Sequence, residues 1–425
     1  MKFSKVFLSS SFAVLAFLSV LTYSAHAKFY GMDELVDRSI KVSQDLKLMD
    51  EDIERAQEEL KVAKTAYWPK LSLQGNLGVD LFSLGSFELD RNAGSNLILD
   101  WNFFQNGWVT YRIEQAKAQV EISRLHRQSR ELELAYQMKV LICEALQKEA
   151  ELNLQLEEFQ LIEKTREKAQ VELRQERLRR ADFLKTQVQF FDHKNLLEKL
   201  KREYQKLLQK LKERSDLSDM EGIDNPLGEE EQNPLSKEVL IDKALLHRVE
   251  IREAEIQWDL SRKAVKVAKL GRWPRLDLFA GNAFALDDLE REGDSFQFRT
   301  GVIARYPLYD GGEIKLQISL AEMAERKAQF QWKEAKRRVS EEVEEAYDEW
   351  MNAKVNLESG MQEKNFIQEE VGKAEAEFKK DRLSPYEWEE AQLNLKRSEL
   401  RLLALRLEVW KAKARLAKGV GVGSH

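Results

Sequence analysis

LGRWPRLDLFAGN stands at 270–282, and a near copy, TAYWPKLSLQGN, already stands at 65–76. The two tryptophans, Trp273 and Trp68, lie 205 positions apart. Other landmarks keep that offset. Asn106-Gly107 matches Gly311-Gly312, Phe103 matches Leu308, and Trp101 matches Tyr306. ERLRRADFLKTQ (176–187) matches DRLSPYEWEEAQ (381–392), and LVDRSI (35–40) matches LIDKAL (240–245). An ungapped offset across separate landmarks is an internal duplication, and a period this long makes each copy a whole supersecondary assembly rather than a solenoid unit. Two copies fill nearly all of the 425 residues.

Within the first copy, residues 33–66 carry few breakers and place Leu46, Ile53 and Leu60 at heptad spacing, which predicts a helix. It should stop at Tyr67-Trp68-Pro69, because a residue before proline is pushed out of the α region. The period then becomes two. Leu71 and Leu73 alternate with Ser72 and Gln74, and Leu97, Leu99, Trp101 and Phe103 alternate with Asn96, Ile98, Asp100 and Asn102. In the second copy Pro274 opens a strand through Leu276 and Leu278. A return strand runs through Phe298, Thr300, Val302, Ala304, Tyr306 and Leu308, with Arg299 and Arg305 on its other face. Four strands are expected, as two antiparallel hairpins at about 69–104 and 274–308.

Residues 110–176 contain neither proline nor glycine, so the helix after the first hairpin would span on the order of 100 Å. Leu134, Met138, Leu141, Ala145, Leu152, Phe159 and Ile162 form an a/d-like seam along it, so it should pack as a coiled coil. The second long helix should turn back at a tip near 381–384. There Ser384, Pro385 and Glu387 read as an S-x-x-E capping box with proline in the first turn. The equivalent first tip is 176–180. The expected domains are therefore a first repeat at 28–210, a linker at 211–238 with Pro226, Pro234 and Glu229-Glu230-Glu231, a second repeat at 239–418, and a flexible tail at 419–425.

The N-terminus has Lys2 and Lys5, an apolar run from Val6 to Tyr23, and Ala25-His26-Ala27, the pattern of a secretory signal peptide over 1–27. Losing its two lysines and no acid would take the net charge from −6 to −8. A single cysteine, Cys143, permits no disulfide framework. One third of the residues are charged and only six are proline, a composition of long solvated helices. No apolar run long enough for a transmembrane helix follows the signal, so a membrane role would need strands.

Four strands cannot close a barrel, and an open sheet in lipid would leave edge amides unsatisfied. The strands either form a small soluble sheet or are pooled by several protomers. Alternation over about ten residues per strand favours pooling. So do Trp68, Trp101, Trp108, Trp273, Tyr306 and Tyr309 at strand ends, where membrane-interface aromatics belong.

With its secretion signal, its doubled helix–hairpin–helical-hairpin unit, WP-[KR]-L opening the outward strands and YPLYDGG closing a return strand, the chain resembles the TolC family across residues 29–418. The resemblance implies a mainly α protein with a small β part, a homotrimer with a twelve-stranded outer-membrane barrel on a periplasmic tunnel of helices. It implies a periplasmic adaptor and an inner-membrane pump as partners, in efflux or type I secretion, with a gate at the helical tips. Leu178 and Leu383 match the family's tip leucine, and Asp182 and Glu387 match its acid. Glu390 matches a further acidic position of some members. Glu387 and Glu390 would form carboxylate rings that favour cations. Alternatively, Glu387 completes a helix cap and Glu390 is a solvated charge. Arg177 and Arg382 depart from the family, standing where it has the glycine that supplies positive φ. Arg177, Arg179, Arg180 and Arg382 make the tip basic, either pairing with nearby acids to hold it shut or meeting an acidic adaptor; Ser384 completes the expected contact surface.

No catalytic constellation is legible. His126 and His193 lack metal-type partners at helical spacing and His247 has only Glu250, Gly311-Gly312 lacks a phosphate-loop lysine, and Cys143 beside the seam reads as buried and inert. An enzyme, a cofactor, a metal and a nucleic-acid partner are not expected. The competing reading is an exported coiled-coil scaffold or adaptor without a pore, although adaptors usually carry one helical hairpin flanked by small β domains.

Overall fold

A computed structural model describes residues 28–80, 90–104, 107–224, 236–287, 295–380, 382–383 and 385–421. The signal segment 1–27, Ser384 and the last four residues lie outside the described residues.

The duplication is written into the element bounds. The first copy runs α1 (Met32–Val42), α2 (Gln44–Thr65), β2 (Lys70–Asp80), β3 (Asp90–Phe104), α3 (Trp108–Arg174) and α4 (Arg180–Ser215). The second runs α5 (Lys237–His247), α6 (Val249–Leu270), β5 (Arg275–Asp287), β6 (Ser295–Arg305), α7 (Glu313–Phe378) and α8 (Pro385–Val420). Two short strands, β1 (Lys28–Tyr30) and β4 (Met220–Ile223), pair in parallel.

The helix expected over 33–66 is in fact two. Ser43 ends α1 with ψ 120 while its N–H still bonds the Ser39 carbonyl, and Arg248, its equivalent, ends α5 with ψ 129. Neither break carries proline or glycine. Arg248 is held instead by its surroundings, its guanidinium donating to Glu250, Glu342 and the Gly419 carbonyl. The segment 211–238 also carries more structure than its acids and prolines suggest. Leu211 to Ser215 complete α4, and β4 follows. Gly419 and Val420, placed in the tail by sequence, end α8 with Val420 buried.

By contacts the chain divides into two units. One comprises residues 1–43, 133–234 and 347–416; the other comprises 44–132, 235–346 and 417–425. The core of the first gathers Leu35 and Val36 of α1, Met138 and Ile142 of α3, Met220 of β4 and Leu407 of α8. Tyr30 enters it through β1, its hydroxyl donating to Asp219 at 3.0 Å. Each such buried side chain contributes roughly 1.5–3 kcal/mol relative to exposure. In the second unit Ala118 and Ile122 of α3 pack on Ile256 and Leu260 of α6. Trp258 and Trp332 join α6 to α7 with ring centroids 5.0 Å apart.

Candidate functional sites: an open sheet and two hairpin tips

The four long strands form one antiparallel sheet in the order β2-β3-β5-β6. Residues directly opposite in such a sheet share a face. The register aligns Leu71, Leu99, Ala280 and Thr300 in one row, and Trp101, Leu278 and Val302 in another. The alternating apolar residues of four strands thus merge into one apolar face. It is bare: Leu71 is 66% exposed, Leu73 72%, Phe298 65% and Val302 65%. The opposite face carries Ser72, Gln74, Asp100, Asp277, Arg299 and Arg305 interspersed with Ile98, Phe279 and Ile303, with Arg305 Nη1 3.2 Å from Asp277 Oδ2. Gly301 lies under the Phe279 ring, where an added Cβ would come within 2.9 Å of it. The strand order leaves β2 and β6 as outer edges, each 11 residues long.

Trp68 and Trp273 precede β2 and β5, which begin at the sheet end where β3 and β6 finish. Trp101 and Trp108 flank the end of β3, and Tyr306 and Tyr309 follow β6. All six sequence-selected aromatics therefore gather at one end of the sheet. Trp101 donates its indole N–H to the Tyr67 carbonyl at 3.0 Å; Trp68 and Tyr309 are 72% and 93% exposed. β6 ends at Arg305, so Tyr306 and Leu308 are past the strand rather than in it. Pro307 has no N–H to continue a ladder, and Gly311 and Gly312 at φ 61 and 90 turn the chain into α7. Asp310 caps that helix through the N–H groups of Gly312 (3.0 Å) and Ile314 (2.8 Å), which hold its carboxyl below the usual value. Beside this end, a cavity of about 470 Å³ is lined by Trp108, Tyr111, Val267, Gly271, Arg275 and Gln317.

At the first tip, α3 closes with a Schellman pair: Arg177 N–H bonds Glu172 O (2.9 Å) and Glu176 N–H bonds Leu173 O (3.1 Å). The left-handed residue is Glu176, at φ 57. Arg177, placed by sequence at the glycine position, has no positive φ, so the expected strain falls one residue earlier. Arg382 N–H bonds Glu377 O at 3.0 Å, the same closure one repeat later. Arg179 is extended ahead of α4, and its carbonyl accepts from Asp182 and Phe183. Asp182 sits in the first turn, where the helix dipole favours an anion.

Arg177, Arg179, Arg180 and Arg382 are exposed, and among the described residues none of them makes an ion pair. Their pairing with Glu176 or Asp182 is thus not seen among the described residues, and Asp381 lies outside them. Leu178 and Leu383 are half-buried, whereas Glu387 and Glu390 are exposed at the start of α8. Between them Glu389 reaches Lys164 of α3 at 3.7 Å. A capping box through Ser384 lies outside the described residues. Sequence reasoning missed a clasp here: Phe378 and Trp388 stack across the second tip, centroids 5.8 Å apart and planes 13° apart. Their equivalents at the first tip are Leu173 and Phe183.

The remaining singled-out residues have ordinary partners. His126 meets Glu253 at 3.0 Å, His193 Nδ1 meets Gln155 at 2.8 Å, and His247 Nδ1 lies 2.9 Å from the Lys243 carbonyl. Cys143 is fully buried, and burial pushes its thiol up to about 12. Among the described residues no three His, Cys, Asp or Glu side chains gather as a metal site, and no helix is long and apolar enough to cross a membrane.

An apolar, aromatic-collared sheet with two unpaired edges, joined in sequence to long helical hairpins, defines the class of outer-membrane channel proteins. The chain belongs to the outer membrane efflux protein family, whose match covers residues 35–214 and 240–422, one segment for each copy of the repeat. That family is one of channels, not an enzyme class. Among solved structures, the fold is similar to the Campylobacter jejuni CmeC outer membrane channel (15% identity, TM-score 0.76), covering 92% of this chain and 85% of that one. It is similar also to the Vibrio cholerae outer membrane protein VceC (15%, TM-score 0.70), covering 92% and 96%. The open-state Neisseria gonorrhoeae MtrE outer membrane channel aligns at 16% identity and TM-score 0.70, covering 92% and 89%. At these identities the likeness is one of fold. A search of curated protein sequences gives no match. The protein is an outer-membrane efflux channel rather than an exported scaffold.

Proposed function

We propose that three copies of the chain pool their sheets into one closed twelve-stranded barrel, making a passive exit duct. The observation that carries this is the pair of bare edges, β2 and β6, on a sheet whose apolar face is exposed. In lipid those edge amides have no water to bond, so the β6 edge of one copy must meet the β2 edge of the next until the sheet closes. Strands of this length, tilted, match the hydrocarbon thickness. The aromatic collar, Trp68, Trp101, Trp108, Trp273, Tyr306 and Tyr309, then sits at a membrane interface, and the polar face lines the lumen.

The duct serves a tripartite efflux or type I secretion system, receiving cargo from an inner-membrane pump through a periplasmic adaptor. The hairpin tips are the gate and docking end. Contact falls to Arg177, Leu178, Arg179, Arg180, Arg382, Leu383 and Ser384, and threefold rings of Glu387, Glu390 and Asp182 select cations there. Native mass measurement of the detergent-purified protein should count three chains; one or two chains would overturn the barrel. For the rings, Glu387→Gln with Glu390→Gln should weaken block of the channel current by multivalent cations by about tenfold. Unchanged block would remove those two residues from the pore.

A further inference from the structure

The two tips of one protomer differ in charge. Four arginines, Arg174, Arg177, Arg179 and Arg180, crowd the first tip against Glu176 and Asp182, on a chain whose net charge is −6. The second tip has Lys379, Lys380 and Arg382, but against them stand Asp381, Glu387, Glu389 and Glu390, so over the same span it is net acidic where the first is net basic. Some charges along the hairpin helices are paired, such as Arg397 with Glu158 at 2.8 Å and Arg401 with Glu363 at 2.7 Å. Among the described residues Arg177, Arg179 and Arg180 make no ion pair, and all three are exposed. The Schellman closure and the extended Arg179 fix the backbone on which these guanidinium groups are presented. A fixed cluster of unneutralised arginines is complementary to carboxylates, with which each can form a two-pronged hydrogen-bonded pair.

We propose that the first hairpin tip docks a partner helical hairpin whose own turn is acidic, the arginines setting the sign of the interaction. This rests on the reading of the tips as the docking end and adds the chemistry of what docks. Like charges opposed across such a contact exclude partners with basic turns, so the same cluster supplies selectivity among adaptors.

The test uses the detergent-purified full chain and synthetic helical-hairpin peptides with glutamate, glutamine or lysine in the turn. The glutamate hairpin should bind at least tenfold more tightly than the glutamine one, weaken as salt rises, and lose that advantage against R177Q/R179Q/R180Q. An unchanged circular dichroism spectrum and an unchanged chain count by native mass measurement establish that the variant folds. Tightest binding of the glutamine or lysine hairpin would overturn the sign while leaving tip docking standing. Binding of none would overturn the docking reading with it. Equal binding of unstructured polyglutamate would make the tip a general polyanion surface and overturn the proposal. So would a triple variant that alters channel closure but not hairpin binding, because the arginines would then be paired with acids of adjacent protomers.

Discussion

Glu176 holds a left-handed conformation that a residue with a Cβ adopts at a cost of about 1 kcal/mol. Glu176→Gly should therefore raise thermal stability by roughly that amount. Arg177→Gly should lower it by several tenths of a kcal/mol, since only chain entropy changes there. A stabilising Arg177→Gly would contradict the placement of the turn. The sequence locates this turn through the repeat but not its left-handed residue, because that depends on where the last helical hydrogen bond falls. Cys143 shows the opposite case, a lone apolar-flanked thiol whose burial its seam position already implies. Its folded-state value lies above the ordinary 9.0, so the stability it contributes is intact below pH 9.0 and declines as pH rises toward about 12. A maleimide reagent should label Cys143 at pH 8 only after unfolding. Rapid labelling of the folded protein would place it at the surface instead.

Elements of strong period were legible, and short or aperiodic ones were not. The switch from helical spacing to alternation at Trp68-Pro69 marks β2 correctly, and the constant offset carries every long element into the second copy. β1 and β4 escaped because three or four residues establish no period, and their pairing joins positions some 190 apart. The helix breaks at Ser43 and Arg248 escaped because neither carries proline or glycine, and at Arg248 hydrogen bonds to the distant Glu342 and Gly419 hold the break. Where two elements meet, single residues decide the fit. Gly301→Val would drive a side chain into the Phe279 ring, an overpacking worth about 1–3 kcal/mol. It should lower the temperature at which the detergent-solubilised assembly dissociates, and Phe279→Ala in the same chain should restore part of the loss. At the second tip, Trp388→Ala removes a stacked ring pair worth about 1 kcal/mol beyond its area. Amide exchange should then rise over 378–388 and stay unchanged at 173–183. Equal loosening of both tips would show that the stack is not what holds the second.

At the scale of the whole molecule, the decisive fact is incompleteness. One chain buries two helical cores yet leaves an apolar sheet bare on its face and open along β2 and β6. That incompleteness was already legible in the residues, since the alternation at Leu71–Leu73 and at Leu97–Trp101 supplies a lipid-facing side while four strands cannot close. The central claim is that copies of this sheet join into a pore. It is tested most directly by current across a planar bilayer after adding the detergent-purified protein. Discrete, long-lived conductance steps are expected. A protein that gives no steps, and that stays soluble and monomeric once detergent is removed, would contradict it.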